Sequence, residues 1–216
     1  MKSYKKIIII TTLITILPLF VGLILWNRLP DTVATHWDFN GEANGWSSKA
    51  FAVLGLPCLL TVIHLFTVGV TLNDPKKKNI HRKMLALVFW IIPVVSLIVN
   101  GMVFLTALQI EVNVSIAVSA LVGIIFIIIG NYLPKLQQNY TAGIKLPWTL
   151  NSTENWNRTH RLGGKTFIIS GILLILCGFL GEIMGNDLSL ITMLIIIVLC
   201  AGVPAVYSFW LFRKGV

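Results

Sequence analysis

The sequence has little charge: Asp, Glu, Lys and Arg make up 12% of its 216 residues, whereas apolar residues make up 56%. A soluble domain has about 25% charged residues, so this chain lacks the polar surface that a water-soluble fold needs. Acidic residues are the scarcer sign, with 8 Asp and Glu against 17 Lys and Arg. The composition excludes a soluble globular protein and indicates an integral membrane protein.

Cysteine is also scarce. Cys58, Cys177 and Cys200 each lie inside an apolar run, and their spacing fits neither a disulfide framework nor a metal cluster. His36 and Asp38 supply two candidate metal ligands, which is too few. The sequence has no P-loop, no zinc spacing and no nucleophile–base arrangement. We therefore predict no catalysis, no cofactor and no metal.

Long apolar runs dominate what is present. Each is close to the 17–25 residues, roughly, that a helix needs to cross a bilayer, and backbone groups in lipid must be paired internally, which favours helices. The first run lacks a convincing small-x-small cleavage site, so we interpret it as a retained helix and not a signal peptide. The fold class predicted is an all-α polytopic membrane protein. Its six predicted spans are Ile7–Trp26, Phe51–Leu72, Met84–Leu108, Val114–Leu133, Thr166–Met184 and Leu188–Phe212.

The charges are divided between the two predicted faces. One face, which includes both termini, a basic loop at Asn73–Lys83 and residues 131–165, carries 15 of the 17 Lys and Arg; the other keeps Arg28 and Lys49. The positive-inside rule places the basic face in the cytoplasm. We interpret the net charge of +9 as this topology signal, with attraction to anionic lipid and no direct contact with nucleic acid. The shorter outer connections are predicted near Gln109–Asn113 and Gly185–Asp187.

The longest predicted outer connection is residues 27–50. Apolar or aromatic residues alternate with polar ones from Val33 to Asn40, and Asn40-Gly41 favours a type I′ turn. This pattern predicts a short hairpin or compact loop, with Trp37 and Trp46 resting on the membrane surface. Two interpretations stay open: a structured cap over the first two helices, or a contact surface that attracts a cationic extracellular peptide. The candidate contact residues are Asp31, His36, Trp37, Asp38, Glu42 and Trp46.

Two polar side chains lie well inside predicted spans. His64 and Asn100 are costly to place in lipid, so each is a functional candidate. An interhelical hydrogen bond is the favoured interpretation of His64. The alternative is that both residues line the path of a small transporter, although the spans lack a buried carboxylate paired with a base.

Residues 131–165, which we call the signature segment, form the longest polar interval. Pro134 is predicted to end the fourth helix, and Pro147 predicts extended or turn-like backbone over residues 143–150. Ser152 or Thr153 is predicted to cap a short helix that Gly163-Gly164 breaks before the fifth span.

The side chains of the signature segment indicate an interfacial anchor. Trp148 and Trp156 are predicted to lie in the headgroup layer. The basic side chains are predicted to face lipid phosphate or a partner. They are Arg158, His160, Arg161 and Lys165.

The signature segment closely resembles the motif of the SdpI/YfhL family of bacterial membrane proteins. The matching sequence is GNYLPKLQQNYTAGIKLPWTL followed by ENWNRTHRLGGK, with Lys145 where the family often has Arg. The 27–50 loop, with Thr35-His36-Trp37 and Gly45-Trp46, resembles the DUF1648 region that often precedes this motif. The resemblance implies a DUF1648-like region over 1–83 and an SdpI-like region over 84–216.

The resemblance also implies a function. A family of this kind is expected to give immunity to a secreted killing peptide of the SdpC type, and to hold an ArsR-type autorepressor at the membrane. A membrane sensor without an immunity role, or a small permease, is the alternative. The residues assigned to the signature and partner contact are Asn131, Pro134, Lys145, Pro147, Trp148, Thr149, Trp156, Arg158, His160, Arg161 and Lys165.

Overall fold

The computed structural model describes residues 4–38, 41–180 and 191–216, and the backbone alone of residues 2–3 and 181–190. Within the described residues, six helical segments are long and apolar enough to cross a membrane, which confirms the predicted fold class. The helices are α1 (Lys2–Leu25), α2 (Leu56–Leu72), α3 (Arg82–Ala107), α4 (Val114–Tyr132), α5 (Pro147–Asn151), α6 (Thr153–Ile197) and α7 (Val203–Arg213). Two strands, β1 (Thr32–Trp37) and β2 (Ala43–Ser48), complete the architecture.

The first four spans agree with prediction to within a few residues. The second is Phe51–Leu72, as predicted, and includes a π-helical turn at Phe51–Gly55. Helix α4 ends at Tyr132 and a single 3₁₀ turn, Leu133–Lys135, follows. Pro134 lies in that turn, so the predicted role of this proline in ending the helix is confirmed.

The beginning of the fifth span differs from prediction. Helix α6 starts at Thr153 and continues through Gly163-Gly164, so the predicted break there is wrong. Ser152 is the N-cap, and its Oγ accepts a hydrogen bond from the Asn155 N–H at 3.2 Å, as the capping signal indicated. Each glycine costs a helix about 1 kcal/mol relative to alanine, and burial of both glycines against neighbouring segments offsets that cost.

A second difference lies just before α6. Leu146 is extended, with φ −120° and ψ 155°, as expected for a residue before proline. The chain then turns into the short helix α5, with Pro147 at its first position. The expectation of extended or turn-like backbone up to Leu150 is therefore wrong, because a proline is well suited to begin a helix.

The fifth and sixth candidate spans are Thr153–Leu180 and Ile191–Arg213. They run antiparallel, since the Asn155 Nδ2 donates to the Ser208 carbonyl oxygen at 3.0 Å and the Cα of Gly163 faces Pro204 further along the pair. Residues 181–190 are assigned to α6 by backbone only. The predicted outer connection at Gly185–Asp187, and the predicted span ends at Met184 and Leu188, lie outside the fully described residues.

The chain forms two compact units. Unit 1 contains Met1–Val70 and Leu85–Ala117, and unit 2 contains Thr71–Met84 and Val118–Val216. The β-hairpin thus belongs to unit 1, and the basic loop at 73–83 belongs to unit 2 with the signature segment. The division between residues 83 and 84 separates the two regions of family resemblance and not the two compact units. It stays a prediction.

In unit 1, the hairpin is anchored on the ends of the helices. Strands β1 and β2 are antiparallel, with Ala34 opposite Trp46, which confirms the predicted hairpin; Phe39 and Asn40 of the predicted turn region lie outside the described residues. Val33 is 1% exposed and packs in an apolar cluster with α3 and the start of the second span. The buried members are Leu29, Val33, Ala52, Val53, Val103 and Phe104.

In unit 2, the backbones of α4 and α6 lie in direct contact. A Cβ added to Gly130 would lie 2.7 Å from the Gly164 carbonyl oxygen, and one added to Gly123 would lie 2.6 Å from that of Gly171. Small residues allow this approach between membrane helices. The contact fixes the two ends of the signature segment, because Gly130 precedes it and Gly164 lies within its last two residues.

Candidate functional site

The hairpin presents acidic and aromatic side chains. Asp31, His36, Glu42 and Trp46 are exposed, and the side chain of Trp46 is 62% accessible. Asp31 pairs with Lys49 at 3.0 Å, yet its side chain is 99% accessible, so the carboxylate is open to a second cation. The hairpin therefore displays four of the six residues that the sequence indicated for peptide contact.

The other two candidate contact residues of the hairpin, Trp37 and Asp38, stabilise its structure. Trp37 is half-buried and packs against the apolar cluster of unit 1. Asp38, also half-buried, accepts a hydrogen bond from the Glu42 N–H on its Oδ1 at 3.0 Å. These contacts hold the hairpin in place, because Trp37 ties β1 to the helices and Asp38 closes the turn.

The intramembrane pair lies in unit 1. The Oγ1 of Thr11 donates to the Ile7 carbonyl at 2.8 Å and lies 3.1 Å from His64 Nε2. Since the hydroxyl hydrogen is used within α1, the hydroxyl oxygen accepts from the imidazole N–H. The predicted interhelical hydrogen bond of His64 is thus present, and it joins α1 to α2.

Two buried atoms of this group have no hydrogen-bond partner among the described residues, His64 Nδ1 and Asn100 Oδ1. The Asn100 amide nitrogen donates to the Ser96 carbonyl at 2.8 Å, and the Ser96 hydroxyl donates to the Thr15 carbonyl at 2.8 Å. The polar groups therefore connect α1, α2 and α3 and leave two acceptors free inside the spans.

The signature segment folds inward around Trp156 and His160, which are both fully buried. The Trp156 Nε1 donates to the Leu136 carbonyl at 2.7 Å, and its ring stacks on the His160 imidazole with centroids 3.9 Å apart. The predicted headgroup position of Trp156 and the predicted outward position of His160 are wrong. Backbone partners elsewhere in the segment bind their polar atoms, and this removes the cost of burying them.

The two ring nitrogens of His160 have different roles. The Nε2 accepts from the Ile144 N–H at 2.9 Å, and the Nδ1 donates to the Trp156 carbonyl at 2.8 Å. This pairing requires the neutral imidazole with its hydrogen on Nδ1. Gly143 has φ +126°, and a Cβ there would overlap His160 and Trp156, so the segment requires glycine at this position.

Thr149 is the second centre of the segment and is fully buried. Its Oγ1 accepts from the Leu146 N–H at 2.8 Å and lies 2.9 Å from the Ile144 carbonyl, to which it donates. Nearby, the Gln138 side-chain amide donates to the carbonyls of Thr149 and Leu150. A side chain predicted to contact a partner thus closes the turn that begins α5.

The basic loop and the signature segment share a buried carboxylate that sequence reasoning did not single out. Asp74 is 8% exposed and accepts from the backbone N–H groups of Lys76 at 2.7 Å and Tyr140 at 3.0 Å. The Thr141 hydroxyl donates to the same carboxylate. A single acid within an otherwise basic loop was the available signal, since a lone carboxylate there needs donors if it is buried.

Several predicted contact residues of the signature segment remain on the surface. Arg158 forms an i,i+4 ion pair with Glu154, and Trp148 is half-buried against Phe209 and Phe212, with ring centroids 5.3 and 6.0 Å away. The exposed members are Asn131, Pro134, Lys145, Pro147, Arg158, Arg161 and Lys165.

Among the described residues, no group of three or more His, Cys, Asp or Glu side chains is arranged to hold a metal ion. The two regions offer surfaces of different kinds: a hairpin with accessible carboxylates, and a hydrogen-bonded segment with an exposed basic rim.

Comparison with known proteins matches the two regions to two family models and most of the chain to one relative. The model of the SdpI/YfhL protein family matches residues 135–208, and that of the domain of unknown function DUF1648 matches residues 13–61. The chain is 25% identical over 207 residues to the "Immunity protein SdpI" of Bacillus subtilis (strain 168), which covers 95% of this chain and 96% of the relative. No solved structure gives a significant match. The chain is therefore a multi-pass membrane protein that carries an SdpI/YfhL-like region at residues 135–208 and a DUF1648 region at residues 13–61.

Proposed function

We propose that this protein protects the cell that makes it from a secreted, membrane-active peptide of the SdpC type. The observation that carries the proposal is the similarity, over nearly the whole of both chains, to a protein named as an immunity protein. Similarity over this length includes the hairpin, the candidate spans and the signature segment, which supports a shared function.

The hairpin is the proposed contact surface for the peptide. Its exposed carboxylates, Asp31 and Glu42, attract a cationic segment, and Trp46 offers an aromatic surface beside them. Charge complementarity of this kind raises the rate at which a partner is captured. The side chains lie at the end of two apolar spans, where a peptide approaching the bilayer would meet them.

The proposed orientation has both termini and the signature segment in the cytoplasm, with the hairpin outside. Cysteine labelling in intact cells tests it in a Cys58→Ser, Cys177→Ser, Cys200→Ser background. A membrane-impermeant maleimide should label Ser48→Cys in the hairpin, whereas Gln137→Cys should react only after the cells are permeabilised. Labelling with the opposite preference would reverse the topology.

A peptide-challenge assay tests the function. The gene is expressed in a strain sensitive to an SdpC-type peptide, and survival is compared with an empty vector at matched membrane expression. We expect raised survival, and a loss of protection in an Asp31→Asn, Glu42→Gln, Trp46→Ala variant. Equal killing with and without the protein would reject immunity to that peptide.

A signalling role for the signature segment is a second part of the proposal. Its exposed Arg161 and Lys165, one helical turn apart on α6, give a basic surface on which an ArsR-type repressor would be held. Co-purification of such a repressor with the wild type, and its loss in Arg161→Ala, is the expected result. Protection that persists without any retained repressor would separate immunity from signalling.

Transport is the competing function, and one observation favours it. The buried acceptors His64 Nδ1 and Asn100 Oδ1 lack partners among the described residues, which is what a polar path through the spans would offer to a solute. Solute flux in proteoliposomes that disappears in His64→Ala would support a permease. Absence of flux, or flux that His64→Ala leaves unchanged, would reject the permease hypothesis.

A further inference from the structure

Unit 2 contains an open cavity between the basic loop and the end of α4. Its volume is about 480 Å³, and its walls include the ammonium-bearing side chains of Lys78, Lys83 and Lys135. His81 and Tyr132 line it as well. Among the described residues that line it, none is acidic, so the cavity carries positive charge without a carboxylate inside it.

The one acidic residue of the basic loop, Asp74, does not line the cavity. Asp74 is buried and bonded to the backbone of Lys76 and Tyr140. The neighbouring lysines are also occupied: Lys76 Nζ donates to Gln138 Oε1 at 2.6 Å, and Lys77 Nζ donates to the Leu72 carbonyl at 2.8 Å. Lys76 and Lys77, which have these structural partners, do not line the cavity.

The three cavity lysines differ from these. They are exposed, and neither of the two ion pairs in the described part of the chain includes one of them. Lys135 also lies over the ring of Tyr132, with its Nζ 5.3 Å from the centroid. Three like charges around one cavity repel each other, and an anion bound between them would offset that repulsion.

The start of α3 adds to the positive potential. This helix begins at Arg82, and Lys83 and Met84 of its first turn line the cavity. His81 satisfies two of the turn's N–H groups, those of Lys83 at 3.2 Å and Met84 at 2.9 Å. These N–H groups are not available as donors to a ligand. The positive end of the helix dipole still favours an anion, and the lysines are the hydrogen-bond donors.

The cavity is held open by hydrogen bonds between its two walls. The Asn79 side-chain amide donates to the Gln138 carbonyl at 2.7 Å, and Gln138 is itself bonded to the carbonyls of Thr149 and Leu150. Because this network joins the basic loop to the signature segment, it holds together the two backbone segments whose lysines line one cavity.

The position of the cavity selects the ligand. It lies where two candidate spans end, at Tyr132 of α4 and at Arg82 of α3, and the ends of spans are where lipid headgroups are expected. Lysine is a common ligand of phosphate as a point charge, and clustered lysines next to a span attract anionic lipid. We propose that this cavity binds a phosphate group, that of an anionic phospholipid headgroup, with free phosphate as the other source of the same chemistry.

The test uses the full chain purified in a neutral detergent. Short-chain phosphatidic acid, short-chain phosphatidylcholine and inorganic phosphate are titrated separately by calorimetry. Phosphatidic acid should bind, with an affinity that falls as salt rises. Since each lysine near a membrane surface contributes about a fivefold factor in affinity, a Lys78→Gln, Lys83→Gln, Lys135→Gln variant should bind at least about tenfold more weakly.

The matched control is Lys5→Gln, Lys6→Gln, Lys214→Gln, which removes the same charge from exposed positions outside the cavity. It should leave binding within about twofold if the site is specific. Inorganic phosphate that binds with the same dependence on the cavity lysines identifies free phosphate as the ligand, and its failure to bind identifies the lipid. Equal losses in both triple variants, or wild-type binding of neither phosphatidic acid nor phosphate, would overturn the proposal.

Discussion

The hairpin and the signature segment are both polar regions between apolar spans, but they use their polar atoms in opposite ways. The hairpin leaves Asp31 and Glu42 exposed and is held by an apolar residue, Val33. The signature segment buries Trp156 and His160 and pairs their ring nitrogens with backbone groups. A hydrogen bond already made inside the protein is not available to a partner, which is why we propose the hairpin as the surface for recognition.

This difference also explains why the signature segment is so distinctive in sequence. Its aromatic, histidine and glycine residues fit one another: Gly143 leaves room for Trp156 and His160, and Gly164 allows α6 to lie against Gly130. Few other residues satisfy such contacts. The motif is first a requirement of folding, and only its exposed rim remains for a partner.

The largest effect is expected from Trp156→Ala. Removing a buried aromatic ring leaves a cavity and costs about 3–5 kcal/mol, and the Leu136 carbonyl loses its donor. The free energy of unfolding in mixed detergent micelles measures this. Trp46→Ala, at the exposed tryptophan of the hairpin, is the control and should change stability by less than about 0.5 kcal/mol. Similar losses in both variants would show that the two regions do not differ as described.

Gly164→Ala is the next largest. The new Cβ would lie 2.7 Å from the Gly130 carbonyl oxygen, and overpacking of this kind costs about 1–3 kcal/mol. Gly101→Ala is the matched control in α3, where an added Cβ meets nothing within 4 Å. It should stabilise the helix by up to about 1 kcal/mol. Thermal unfolding followed by circular dichroism compares the two, and an unchanged midpoint for Gly164→Ala would contradict the close contact.

Thr149→Val tests the inner hydrogen bonds of the signature segment without changing its volume. The Leu146 N–H would lose its acceptor, and an unsatisfied buried donor costs about 1–3 kcal/mol. Thr32→Val, at an exposed position of β1, should have little effect on the unfolding midpoint. A Thr149→Val protein as stable as the wild type would contradict a structural role for these hydrogen bonds.

The smallest effect on stability is expected in the hairpin. Asp31→Asn with Glu42→Gln removes two exposed charges, and each exposed ion pair is worth about 0.2–1 kcal/mol. The folded state should be almost unaffected, while binding of a cationic SdpC-type peptide weakens several-fold at low salt. Surface plasmon resonance at two salt concentrations measures this, with Thr32→Ser as a neutral control at an exposed position of the hairpin. Binding that is unchanged at low salt would move the contact away from these carboxylates.

Local signals predicted most of the fold. Apolar runs gave the six spans because their lengths match a bilayer, and alternation gave the hairpin because successive side chains of a strand point to opposite faces. Ser152 and Pro134 marked helix ends through their own hydrogen bonding and ring geometry. The predicted helix break at Gly163-Gly164 was wrong because it depends on distant residues: the effect of a glycine on a helix depends on what packs against it.

The candidate site was less accessible to such reasoning. Composition placed Trp156 and His160 at a membrane surface, because aromatic and basic residues are frequent there. Asp74 was not singled out at all. The partners of these side chains, at Leu136, Ile144 and Tyr140, are fixed by how loops from different parts of unit 2 come together.

The sequence by itself determined that this is a membrane protein with six apolar helices, a hairpin and a family motif, because hydrophobic length and local turn chemistry act over a few residues. Only the tertiary structure decided which polar groups form hydrogen bonds inside the protein and which remain exposed and able to bind a partner. That choice depends on hydrogen bonds and backbone contacts between distant residues, such as Asp74 with Tyr140 and Gly130 with Gly164, whose geometry exists only once the chain is folded.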